Sequence, residues 1–412
     1  MGASAEIKLL ALSNGHGEDE VACRILQALR QRCPHWQLQA LPLVGQGQAY
    51  QRTGFDLYGI VQKAMPSGGF IYMDQRQLWG DLRSGLLSLT WMQLQQVRRW
   101  AVMGGYILAV GDIVPLLFSW YSGAPYAFVG TAKSEYYLRT EETPSPPPRW
   151  PWHQWLDCVY LPWERALLQH RRCRAVFPRD SLTAHFLQKW PIPTYDLGNP
   201  MMDNLEPCGQ LNRDTLPPAA TIVLLLPGSR PPEAYTNWIS ILAGIAPLTA
   251  LAQPFVFIAA ITAQLAPEQL HLLATPYGWH PDGLTHPGLW LKCHHSRLII
   301  LPHAFNDGLH LADLVIATAG TATEQCVGLG KPVITLAGKG PQFTWAFAEA
   351  QARLLGPSIY LLTEASGIPA QVLELMHSSQ QQFFYQRNGQ QRMGSAGAAV
   401  RIARQLEMLF SA

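Results

Sequence analysis

Charge is scarce in this chain. Asp, Glu, Lys and Arg make up only 14% of its 412 residues, against roughly 25% in typical soluble proteins. The formal net charge is +2, so no basic field argues for a nucleic-acid partner. The seven cysteines contain no C-x-x-C pair; an odd, scattered count reads as reduced thiols in a cytosolic compartment. The N-terminus runs almost directly into a strand without an apolar leader or cleavage site, and Glu6 stands where a myristoylation signal needs Ser or Thr. The longest apolar stretch, Gly104 to Gly130, is broken by Asp112, Pro115, Ser119, Ser122 and Pro125, which disqualifies it as a membrane span. A cytoplasmic protein is expected, soluble or peripheral on the cytoplasmic membrane face. No Asp-x-Asp occurs, which disfavours a metal-held nucleotide diphosphate. No G-x-G-x-x-G occurs either, so the nicotinamide dinucleotide fingerprint is unmet. The expectation is no metal and no cofactor.

What the chain does have is apolar residues, 48% of the total, enough for a large core and too many for disorder. Its length favours two or three domains. Short apolar runs alternate with helical stretches in two blocks, the pattern of parallel sheets covered by helices. Strands are expected at Ile7–Leu12, Leu38–Leu43, Tyr106–Val110, Tyr126–Val129, Cys158–Leu161 and Ala175–Phe177, then at Thr221–Leu226, Phe255–Ala259, Leu298–Leu301, Leu314–Ala317 and Pro332–Leu336. The polar, turn-rich stretch 206–220 separates the blocks as a linker between domains 1–205 and 221–393. Residues 394–412 hold one amphipathic C-terminal helix. Two stretches of the first block fit no plain alternation. One is a proline-rich excursion at 143–152. The other, 55–105, sets Phe55, Tyr58, Phe70, Tyr72, Trp79, Trp91 and Trp100 among Lys63, Arg76, Arg83, Arg98 and Arg99. Such a mixture makes either a membrane-surface face or interior helices with snorkelling arginines.

Three turns can carry chemistry. Ser13-Asn14-Gly15-His16-Gly17-Glu18-Asp19 follows the first strand and opens a helix. Gly15 and Gly17 let a ligand approach the backbone, and His16 is a histidine suited to general-base work at neutral pH. Pro227-Gly228-Ser229-Arg230 follows the first strand of the second block, where Gly228 and Ser229 supply donors and Arg230 can reach a phosphate bidentately. Thr318-Ala319-Gly320-Thr321-Ala322-Thr323-Glu324 ends another strand. Free N–H groups at that helix start, with Gly320, Thr321 and Thr323, suit a diphosphate. Glu324 either accepts hydrogen bonds from ribose hydroxyls or caps the helix. Asp112, at the end of the Tyr106–Val110 strand, can orient His16, touch an acceptor or cap the next turn. His294, His295 and His303 lack zinc-site spacing.

The blocks LLLPGSRPPEA (224–234), PTYDLGNPMMD (193–203) and ADLVIATAGTATEQCVGLGKPVI (312–334) resemble, in the same order, those of lipid-A-disaccharide synthases, and most of all the synthase-related proteins of photosynthetic lineages. The resemblance implies a GT-B fold: two Rossmann-like α/β domains facing a cleft, with a C-terminal helix crossing back to the first. It implies a nucleotide sugar, normally UDP-linked, held mainly by the second domain. Gly228, Ser229 and Arg230 would serve the nucleotide or diphosphate, Gly320, Thr321, Thr323 and Glu324 the phosphate and ribose, and Asp112 would match an acidic catalytic residue. The N-terminal turn departs from that family's Ser-Gly-Glu-x-Ser-Gly-Asp pattern. Its Gly-His-Gly is more similar to the diacylglycerol galactosyltransferases and the glucosaminyltransferase of peptidoglycan synthesis, where the loop lies beside the acceptor. The implied reaction is an inverting, metal-independent transfer to a lipid or other amphipathic acceptor, with His16 or Asp112 as base. Two alternatives stand beside it: a nucleotide-sugar 2-epimerase on the same fold, and a non-catalytic nucleotide-sugar-binding or assembly protein.

Overall fold

A computed structural model of the chain describes residues 7–59, 86–139, 158–283, 286–338, 343–376 and 381–411. The proline-rich stretch 143–152 and the middle of the aromatic and basic stretch, 60–85, lie outside them. Two compact units emerge: Met1–Asp203 with Gly394–Ala412, and Asn204–Met393.

The first unit is built on six parallel strands, β1 (Lys8–Ser13), β2 (Gln37–Pro42), β3 (Asp56–Leu57), β4 (Tyr106–Gly111), β5 (Tyr126–Gly130) and β6 (Cys173–Phe177), in the order 3-2-1-4-5-6. Alternation of side chains along a strand explains why β1 is a continuous apolar run. Leu9 and Ala11 enter one buried cluster with the helix His16–Arg32, while Leu10 and Leu12 enter another on the opposite face. The expected strand at Cys158–Leu161 is absent. Its backbone donors are taken by side chains: Val159 N–H by Glu135 Oε1 at 2.7 Å and Leu161 N–H by Glu164 Oε2 at 2.8 Å. With these two N–H groups engaged and that of Tyr160 turned to Cys158 Sγ at 3.4 Å, the segment leads into the helix Pro162–Leu168.

The second unit orders its strands 14-13-12-7-8-11-10-9. They are β7 (Thr221–Leu226), β8 (Phe255–Ile261), β9 (His280–Pro281), β10 (Leu289–Cys293), β11 (Ser296–Pro302), β12 (Leu314–Ala317), β13 (Val333–Leu336) and β14 (Ile359–Leu362). All pairings are parallel except those of β10 with β11 and β9. His294 and His295 are the two-residue turn of the β10–β11 hairpin, His294 with φ +50°. Residues 206–220 group with this unit rather than standing free. The carboxylate of Asp307, almost wholly buried in the helix Phe305–Leu311, accepts the N–H groups of Cys208, Gly209, Gln210 and Leu211 at 2.6–3.3 Å.

The C-terminal helix Ala398–Phe410 returns to the first unit and lays Ala399, Ile402, Ala403, Leu406 and Phe410 on the core formed by His16–Arg32. Phe410 stacks on Tyr106 with centroids 4.4 Å apart. Its N-cap residue, Gly397, has no side chain, and Asp203 supplies the missing acceptor. The Asp203 carboxylate takes the N–H groups of Gly397, Ala398 and Ala399 at 2.5, 3.1 and 2.7 Å. Asp203→Ala is therefore expected to cost about 2 kcal/mol and to lower the melting temperature of the full chain; an unchanged melting curve would remove this capping role. Among the described residues no helix is long and apolar enough to cross a membrane.

Candidate functional site

In an open parallel sheet, the connections of two adjacent strands part to opposite faces where the strand order reverses, leaving a crevice at the carboxyl ends. That point lies between β1 and β4 in the first unit and between β7 and β12 in the second. All three sequence turns, and Asp112, leave these four strands. His16 and Asp112 follow β1 and β4; Gly228–Arg230 and Gly320–Glu324 follow β7 and β12.

In the first unit, Gly15 is the N-cap of His16–Arg32 and provides no side-chain cap. The His16 imidazole is exposed and has no hydrogen bond or ion pair among the described residues. Gly17 sits half-buried in the first turn. Asp112 caps the helix Ile113–Ser122, its Oδ1 accepting from Val114 N–H at 2.8 Å and from Asn14 Nδ2 at 2.6 Å. The second oxygen, Oδ2, has no partner among the described residues. Asn14 thus links the two turns, while His16 and Asp112 do not touch directly. Gly111, at φ +135°, permits this approach, because any side chain there would run into Asn14 Oδ1. Burial pushes the Asp112 carboxyl above its ordinary range, and its bonds from Val114 and Asn14 oppose that. Beneath the turn lies a buried chain: Ser13 Oγ donates to Asp19 Oδ1 at 2.5 Å and meets Tyr50 OH at 2.6 Å. Burial raises the Asp19 carboxyl to about 7, the Ser13 bond opposing and the charges of Glu18 and Glu20 adding.

In the second unit, Gly228 has φ +102°, a conformation that favours glycine. Asn237 Nδ2 donates to Pro227 O at 3.1 Å and Thr318 N–H to Leu226 O at 2.9 Å, tying the β7 and β12 turns in place. Ser229 is exposed, and the half-buried Arg230 has no partner for its guanidinium among the described residues. The helix Thr321–Gly328 starts at Gly320 with no side-chain cap, so its first N–H groups lack intrahelical acceptors. Gln351 Nε2 instead binds the carbonyls of Ala319 and Gly320 at 3.4 and 3.0 Å, leaving donors outward at the helix start. Thr321 is exposed and Glu324 half-buried beside them. Thr323 differs from its sequence expectation. It is fully buried and its hydroxyl donates to Ala319 O at 2.6 Å, so it shapes the turn instead of offering a hydroxyl to a ligand. Asn14 lies within the Ser13–Asp19 turn itself, whereas Asn237 and Gln351 reach the turns from later helices with no local pattern to mark them.

No protein-family model matches the chain, and no curated protein matches it. Solved structures do. The calicheamicin glycosyltransferase CalG4 superposes with a TM-score of 0.60 at 15% identity, covering 98% of each chain. The MurG of Acinetobacter baumannii gives 0.57 at 13%, covering 98% of this chain and 99% of its own. The UDP-GlcNAc 2-epimerase of Neisseria meningitidis, solved with UDP-GlcNAc bound, gives 0.54 at 14%, covering 98% and 100%. At such identities the likeness speaks of fold. The chain consists of two Rossmann-like α/β units with the architecture of the GT-B enzymes.

Proposed function

We propose that the chain is an inverting, metal-independent glycosyltransferase that moves a sugar from a UDP-linked donor to a lipid or other amphipathic acceptor at the cytoplasmic membrane face. The observation that carries this reading is the content of the two switch points: in one unit an uncapped helix start after β12 and, after β7, an arginine with no partner among the described residues, and in the other unit two proton acceptors. The diphosphate would lie on the N–H groups of Gly320 and Thr321 with Ser229 and Arg230, and the ribose on Glu324. The acceptor oxygen attacks the anomeric carbon as the bond to the β-phosphate oxygen breaks. Its proton passes to His16 or to Asp112 Oδ2, and the charge growing on the leaving diphosphate is met by Arg230 and the helix start. Independence from metal rests on the lack of an Asp-x-Asp in the sequence.

An amphipathic acceptor is supported by the outer face of the first unit. Within 55–105, Phe55 and Trp100 are core residues, but Trp91 is 55% exposed. On nearby helices Trp163 is 61% exposed, Trp120 and Tyr121 are also exposed, and Arg98 lies over the Tyr121 ring at 5.4 Å. Exposed indoles, with an arginine over a neighbouring tyrosine ring, suit a lipid headgroup layer. A 2-epimerase is the second reading, since epimerases stand among the structural neighbours as the transferases do. It needs the same nucleotide site and no acceptor.

Thermal melts with UDP, GDP and ADP test the donor half. A ligand at a hundred times its Kd adds about 2.7 kcal/mol, so UDP is expected to raise the melting temperature, and Arg230→Ala and Glu324→Ala to reduce that rise. Acceptor-dependent release of UDP from a UDP-sugar then separates transfer from epimerisation. No shift with any nucleotide would overturn the reading in favour of a scaffold or assembly role.

A further inference from the structure

The Gly320 turn is held by a side chain that the fold does not require. Gln351, in the helix Trp345–Leu355, is only 3% exposed. Its Nε2 donates to Gly320 O at 3.0 Å and to Ala319 O at 3.4 Å. Both partners are carbonyls, so they fix the amide with its nitrogen toward the turn and its oxygen away from it. That oxygen, Oε1, is buried and has no hydrogen-bond partner among the described residues. A buried acceptor left without a donor destabilises the folded state. Neither carbonyl needs the amide to escape the same fate. Ala319 O also accepts the Thr323 hydroxyl at 2.6 Å, and Gly320 O the Glu324 N–H at 3.3 Å. An apolar side chain at position 351 would therefore remove an orphaned acceptor and leave no carbonyl unpaired.

The amide instead fixes a direction. In a planar trans peptide the C=O and the N–H point opposite ways. Holding Ala319 O therefore aims the Gly320 N–H away from Gln351, and holding Gly320 O does the same for the Thr321 N–H. Neither N–H has an acceptor among the described residues, and these are the two donors that the scheme above sets on the diphosphate. The turn needs such a hold. Gly320, at φ −80° and ψ −91°, lies outside the helical range, and the bond from Glu324 N–H to its carbonyl is long. Phe347, one turn earlier in the same helix, also reaches Gly320, since a Cβ there would stand 3.7 Å from its Cζ. We propose that Gln351 is a positioning residue for the donor diphosphate: its side-chain amide turns the peptides of Ala319 and Gly320 so that the N–H groups of Gly320 and Thr321 meet the phosphate oxygens. This rests on the reading of the Gly320 turn as the diphosphate site.

The test is calorimetric titration of the full-length protein with UDP and with uridine, which lacks the phosphates. Wild type is expected to bind UDP the more tightly. In Gln351→Met, which keeps the length and the unbranched shape, UDP affinity is expected to fall about tenfold, the low end for losing an aimed hydrogen bond to a charged group. Uridine affinity should stay within about twofold, and the melting temperature without ligand should not fall. Gln351→Glu has the same shape without the paired N–H donors and should lose UDP affinity at least as far. Wild-type UDP affinity in either folded variant overturns the proposal. So does an equal loss for UDP and uridine, which marks a structural prop only. Failure of the site reading shows instead in the wild type, as UDP that binds no better than uridine, and it overturns this proposal as well.

Discussion

Replacing His16 by alanine is expected to lower kcat by about 10²–10⁴-fold, the usual weight of a general base, while leaving the affinity for UDP within about twofold. The asymmetry follows from where the residues stand. His16 belongs to the unit of β1, whereas the uncapped helix start and Arg230 belong to the unit of β7. Its imidazole is exposed and carries no structural bond among the described residues, so its loss should cost little stability. Asp112→Asn is a different experiment, because Asp112 also caps Ile113–Ser122 and holds Asn14. Asparagine keeps an oxygen for the Val114 N–H, so a fall in turnover there would report the missing charge more than a lost cap. Steady-state rates of UDP release with UDP binding measured on the same variants decide the matter. Wild-type turnover in His16→Ala would take it out of the catalytic role and leave Asp112 as the base.

The second large effect concerns stability. Asp19→Asn is expected to stabilise the protein at pH 8 by roughly 5–10 °C relative to wild type, and to change it little at pH 4. Asp19 is 4% exposed, and its carboxyl is raised from 3.8 to about 7 by burial first, with Glu18 and Glu20 adding. Between those two values the unfolded chain has lost the proton and the folded one keeps it. Stability contributed by this group is therefore whole below about pH 4, declines as pH rises, and levels off above about 7. At about 1.4 kcal/mol per unit the total is on the order of 4 kcal/mol. Asparagine still accepts the Ser13 hydroxyl but never ionises, so the variant should lose this pH dependence. Melting curves from pH 4 to pH 8 check it, and parallel profiles for the two proteins would refute it.

Much of the architecture was legible in the order of residues. Thr221–Leu226 and Leu314–Ala317 are expected and observed strands, since an apolar run too short for a helix and bounded by turn residues has few other uses. Of the glycines that follow them, Gly228 adopts a φ of +102°, which favours glycine, whereas Gly320 does not. Cys158–Leu161 has the same local composition and is not a strand, because Glu135 and Glu164 take its N–H groups. No local pattern announces that competition. Four observed strands, β3, β9, β10 and β14, are not among those expected: β3 and β9 are two residues long, no residue of β14 is fully buried, and β10 is recognisable only through its pairing with β11.

The candidate site divides along the same line. Which turns hold reactive groups is a local matter of glycine, helix starts and residue type, so the placing of His16, Arg230 and the Gly320 turn at strand ends can be read from residue order alone. Which side chains remain available is a matter of packing. Packing alone fixes that Thr323 is spent on Ala319, that Asn14 bridges to Asp112 across 98 residues, and that Lys133 pairs with Glu164. Partners of that kind are chosen by strand order, and strand order arises from burying both faces of a sheet at once, a cooperative property that no single segment carries.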